Sequence, residues 1–133
     1  LTNWTVLYTK LHNYHWYVKG PNFFTLHVKF EELYTETATY IDEIAERLLS
    51  IGGQPIATLK ETLEVATIQE ATGDEKAEEM VEIIYRDFAT IAKDIDELLS
   101  VASDANDEET ADLFLGIKAT LEKHMWMLQA FLG

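Results

Sequence analysis

The chain has 133 residues, no cysteine and a formal net charge of −14. That length suits one domain with a substantial core, and the absence of thiols excludes disulfides and thiolate metal sites. The acidic balance is the reverse of the basic footprint that phosphate contacts demand, and no apolar run reaches the roughly 18 residues of a transmembrane helix.

The opening Leu1-Thr2-Asn3-Trp4 does not resemble a signal peptide. It also lacks Met, so a trimmed or internal start is expected, and a cytosolic setting fits. Trp4, Leu7, Tyr8, Leu11, Tyr14, His15 and Val18 recur at a spacing of three to four. They predict a first helix reaching about Lys19, broken by Gly20-Pro21-Asn22. A second long helix follows to about Ile51 and stops at Gly52-Gly53, with Pro55 continuing the break. Thr58 to about Ala66 predicts two turns of helix inside a long connection. After Gly73-Asp74 a third long helix carries Met80, Ile83, Ile84, Phe88, Ile91, Ile95, Leu98 and Leu99. The run Ser103–Asp107 reads as a turn. A fourth helix reaches about Leu132, with Leu113, Ile117, Leu121, Met125, Leu128 and Leu132 as its expected buried face. There is almost no strand signal. Short first and last links around a long central one describe an all-α four-helix bundle with one crossover and a short extra helix.

The second helix carries the chemistry. At about 100° per residue, His27, Glu31, Asp42 and Glu46 fall within an arc of about 100°. Phe23, Phe30, Leu33, Tyr34, Ile41, Ile44 and Leu48 fall on a separate, apolar arc, and Lys29, Glu32, Glu36, Glu43 and Arg47 on a third. Yet Glu31 and Asp42 are about 16 Å apart along the axis at 1.5 Å per residue. One metal centre cannot span that distance, so the stripe must form two half-sites.

An antiparallel copy of the same helix completes them. His27 pairs with Glu46, and Glu31 with Asp42, about one common centre between Glu36 and Thr37. The stripe is therefore self-complementary, as a two-fold interface requires. Thr35 and Ala38 flank that centre and are small enough for close approach. Each site would take His27 and Glu31 from one subunit and Asp42 and Glu46 from the other. The alternative is a solvated acidic face, and spacing alone leaves both open.

Imidazole nitrogen and carboxylate oxygen without thiolate suit iron better than structural zinc. The Glu-x-x-His pairs of di-iron centres built inside one bundle are absent. Position cannot place His15, which lies beside the apolar stripe of the first helix, where a lone histidine is usually a core or interface residue. Trp16 reads first as packing, although an indole beside an oxidising iron can donate an electron.

His15-Trp16-Tyr17-Val18-Lys19-Gly20, then five residues to Leu26-His27, then three to Glu31, resembles the signature of the Dps proteins, the bacterial mini-ferritins. Asp42 and Glu46 match the rest of that family's ferroxidase pattern. The likeness covers essentially the whole chain, including the short helix and the Lys123-His124-Met125-Trp126 ending. It implies one ferritin-like domain over 1–133 in a hollow homo-dodecamer of the bacterial cytoplasm. It implies Fe(II) oxidation by hydrogen peroxide or O2 at intersubunit, di-iron-capable sites, with ferric mineral stored inside. By that likeness His15, His27 and Glu31 of one subunit, with Asp42 and Glu46 of its neighbour, hold the iron. Many members carry Asp where this chain has Glu31, which shifts the reach of that ligand.

A second implication concerns iron entry. Asp104, Glu108 and Asp112, spaced by four, are expected on one face at the start of the fourth helix. A three-fold assembly would gather them into an acidic funnel, as in Dps pores. Acids at a helix N-terminus also serve as simple dipole partners. Some Dps proteins bind DNA through Lys-rich tails. No such tail is seen in these residues and the charge opposes DNA, so a nucleoid DNA-binding role is the alternative to iron chemistry. A helical assembly protein with no chemistry is the third reading.

Overall fold

The computed structural model describes residues 1–133, all in helices and their connections, with no strand. The helices are α1 (Thr2–Tyr17), α2 (Phe23–Ser50), α3 (Leu59–Val65), α4 (Ala77–Asp104) and α5 (Glu108–Leu132). They fall into two compact units, Leu1–Met80 and Val81–Gly133.

In the first unit α1 packs along α2 and against α3. Trp4, Leu7, Leu11 and Tyr14 on α1 are buried, as are Leu26, Phe30, Leu33 and Ile44 on α2. Both sets repeat at three to four residues, so each helix presents one apolar face. Gly20 closes the link at φ +105°, where a side chain would be strained. Its carbonyl accepts from the Phe23 amide at 3.1 Å. Phe23, Tyr34, Ile41 and Leu48 are only half-buried, whereas Thr37 is fully covered. The Thr37 hydroxyl donates back to the Leu33 carbonyl at 2.8 Å. That bond lets a polar residue occupy a core position.

The long connection is tied down by side chains. Thr58 accepts from the Glu61 amide and caps α3. The Asn3 carboxamide accepts from the Thr67 and Ile68 amides at 2.8 and 3.1 Å. Glu75 accepts from the Tyr14 hydroxyl at 2.7 Å, from the Thr72 amide and hydroxyl, and from the Gly73 amide.

In the second unit Val81, Ile84, Phe88, Ile91, Ile95 and Ala102 are buried on α4, and Phe114, Ile117, Leu121 and Leu128 on α5. Leu113, Met125 and Leu132, expected in the core, are half-buried, and Phe114 takes the covered position instead. Asn106 makes the α4–α5 turn at φ 56°, a conformation Asn tolerates. Asp107 then caps α5, accepting from the Thr110 amide at 3.1 Å and hydroxyl at 2.6 Å. The Lys118 ammonium meets Asp96 at 2.6 Å and joins α5 to α4.

Burial opposes the charge on Glu75, but the hydrogen bonds from Thr72, Tyr14 and the local backbone outweigh it and lower its pKa from 4.5 to about 2. A depressed carboxylate stabilises the folded state above its unfolded pKa and loses that contribution as pH falls through its folded value. Tyr14→Phe should therefore cost about 1–2 kcal/mol near neutral pH. In urea titrations the gap to the parent should narrow between about pH 4.5 and pH 2. A gap independent of pH across that range contradicts this role for Glu75.

Candidate metal centre

His15 lies in the last turn of α1 and His27 in the second turn of α2. The two exchange hydrogen bonds across the Gly20 turn. His15 Nδ1 lies 2.6 Å from the His27 carbonyl, and His27 Nδ1 lies 2.8 Å from the His15 carbonyl. A carbonyl only accepts, so each Nδ1 carries a proton, and the nitrogen left for a metal on each ring is Nε2. The rings stack with centroids 3.7 Å apart and planes 14° apart. Phe23 stacks on the outer face of His27 at 5.0 Å. His15 is buried and His27 half-buried. The result is two Nε2 atoms fixed in orientation by the backbone.

Glu31 follows His27 by one helical turn and is exposed. Its carboxylate receives the Tyr34 hydroxyl at 3.4 Å. Tyr34 was expected in the apolar face, but its ring stacks on His12 (3.8 Å, 21°) and meets the edge of His15 (5.4 Å, 83°) and of Tyr8 (6.3 Å, 89°). His12 is itself fixed by Nδ1 donating to the Tyr8 carbonyl at 2.9 Å. Desolvation, then the charge and hydrogen bond of Glu31, then Tyr8 raise the Tyr34 pKa. The phenol therefore stays protonated at neutral pH and acts as a donor.

Tyr34 and His12 are the residues that sequence reasoning passed over. A signal existed, because at about 100° per residue Tyr34 falls on the border between the apolar arc and the ligand arc. Trp16 is 67% exposed in the single chain. Its ring contact is with His12, at 5.3 Å.

Asp42 and Glu46 are exposed on the same helix, three and four turns beyond Glu31. Within one chain no three His, Asp or Glu side chains converge as a metal group. The chain thus brings together His15 and His27, sets Glu31 one helical turn from His27, and holds Asp42 and Glu46 farther along α2. Thr35 and Ala38 are exposed between the two halves. Phe24 and Leu49, at matching distances from the same helix centre, are 82% and 58% exposed.

Asp104, Glu108 and Asp112 are all exposed, but not on one helix. Asp104 ends α4, while Glu108 begins α5 and Asp112 lies one turn along it. The expectation of a single face fails because α4 continues to Asp104 before the Asn106 turn. The capping role at this corner belongs to Asp107.

Comparison with known proteins agrees with this architecture. A family model described as a ferritin-like domain matches residues 1–133. General stress protein 20U of Bacillus subtilis is 59% identical over 133 residues, covering 100% of this chain and 92% of that protein. DNA protection during starvation protein 2 of Bacillus anthracis is 60% identical, covering 100% of this chain and 91% of its own. The crystal structure of a Dps protein from Bacillus brevis superposes with a TM-score of 0.98 at 59% identity, covering 99% of this chain and 89% of that one. The chain belongs to the ferritin-like family, within its Dps branch, and has the ferritin-like fold. Iron storage and DNA protection are the general business of that family.

Proposed function

We propose that this chain is a ferroxidase and iron-storing mini-ferritin whose oxidation sites are shared between two subunits. The observation that supports this most is the pair of backbone-locked imidazoles on one half of a helix whose other half carries an exposed, symmetry-matched carboxylate pair. Each site takes His15, His27 and Glu31 from one subunit and Asp42 and Glu46 from its neighbour. The exposed Phe24 and Leu49 extend the same register, which supports burial of this face against a second copy.

Fe(II) is the substrate. Neutral Nε2 donors suit the ferrous ion, and three carboxylates offset the added charge of the ferric product. Two Fe(II) each give one electron, and hydrogen peroxide takes both with two protons to yield two waters. With O2 as oxidant, two Fe(II) and two protons reduce it to hydrogen peroxide, and two further Fe(II) with two protons carry that peroxide to two waters. The ferric product passes to the interior of a cytoplasmic dodecamer, the assembly that resemblance to Dps implies. In this reading residues 1–133 act as one domain.

Co-assembly tests the sharing. His27→Ala and Asp42→Ala proteins should each be inactive in peroxide-driven iron oxidation. A mixed dimer places both lesions in one site and leaves the other intact. Random mixing should restore about a quarter of parental activity. No recovery in verified mixed assemblies contradicts the shared site.

Asp104, Glu108 and Asp112 are proposed as the iron-entry patch, drawing cations by their field. Replacing all three by Asn or Gln should slow low-salt iron uptake several-fold and leave assembly intact. An unchanged rate removes these acids from iron entry, leaving Glu108 in the first turn of α5 as a dipole partner only.

DNA protection in this chain is read as removal of iron and peroxide rather than DNA binding. A charge of −14 per chain repels phosphate most strongly at low salt. The metal-free protein should leave duplex DNA unretarded in a gel at about 10 mM salt, where the Debye length is about 30 Å. Retardation there favours the nucleoid reading.

A further inference from the structure

We propose that the Tyr34 hydroxyl, held in place by His12, is the positioning group for the Glu31 carboxylate. This rests on the shared-centre reading above and deepens it. His15 and His27 need no help, because their Nδ1 bonds already aim both rings. Glu31 has no such anchor. It is exposed and turns about three side-chain torsions, so an unassisted carboxylate samples many positions. Its one polar contact is the Tyr34 hydroxyl, at 3.4 Å.

That hydroxyl is itself placed by several contacts. The Tyr34 ring lies flat on His12, at 3.8 Å and 21°, and edge-on to His15 and Tyr8. His12 cannot turn freely, since Nδ1 is bonded to the Tyr8 carbonyl. A chain of fixed groups thus runs from the α1 backbone through His12 and Tyr34 to a ligand that would otherwise wander. The same tyrosine touches His15, so one ring sits against two members of the proposed centre. The contact of 3.4 Å is long for O–H···O. It leaves room to shorten when a cation fixes the second oxygen.

Co(II) titration of the assembled metal-free protein tests this, read by calorimetry and by the visible d–d absorption band. Tyr34→Phe keeps the ring and its stack but deletes the hydroxyl. Affinity should fall about three- to tenfold, the loss expected for one hydrogen bond. The band should change shape while Tm stays at the parental value. In the Glu31→Asp background the shorter carboxylate falls out of reach, so adding Tyr34→Phe should cost nothing more. His12→Ala, which frees the ring but keeps the hydroxyl, should give a smaller loss than Tyr34→Phe. An unchanged affinity and band in Tyr34→Phe overturns the proposal, as does an equal loss in both backgrounds. If Co(II) binding instead survives His27→Ala, the shared-centre reading fails and this inference fails with it.

Discussion

The reciprocal bond between His15 and His27 is the constraint on which the rest of the candidate centre depends. Each ring donates to the other residue's carbonyl across a turn that needs Gly20 at positive φ. The His15 carbonyl lies at the end of α1, where no amide of the helix remains to satisfy it. An imidazole fills that vacancy, and in doing so fixes its own tautomer. Structural need and metal readiness are met by the same two hydrogen bonds. The 3.7 Å stack follows from them, because rings bonded to each other's backbone have little room to lie otherwise.

In the proposed centre, half a site then constrains the assembly. Nitrogen donors sit at one end of the stripe and the remaining carboxylates at the other, on a 28-residue helix that cannot fold back on itself. A second copy related by a two-fold axis is the simplest way to bring Asp42 and Glu46 to His27. The exposed side chains between them fit that requirement: Thr35 and Ala38 are small, and Phe24 and Leu49 present apolar surface.

The helices were legible because a 3.6-residue apolar period is written plainly between Gly, Pro and Asn breaks. The proposed ligand stripe could be drawn from sequence because all four of its members lie on one helix, where spacing is geometry. His15 was not, since its partner lies across a turn whose path depends on φ at Gly20. Tyr34 was misread because an aromatic ring counts as apolar in any periodicity, and its hydroxyl became visible only with His12 stacked beneath it. Thr37 was missed for the opposite reason, a polar residue made core-compatible by a bond to its own helix. Asp104 was assigned to the wrong helix because the left-handed Asn106 ends the turn one residue before the Asp107 cap.

An anomalous-scattering map of crystals soaked anaerobically in Fe(II) tests the shared centre most directly. The expected result is an iron peak at each two-fold interface within coordination distance of His Nε2 and carboxylate oxygen donors, bounded by His15, His27 and Glu31 of one chain and Asp42 and Glu46 of the other. Iron held by residues of a single chain, or an interface free of iron at saturating Fe(II), contradicts it.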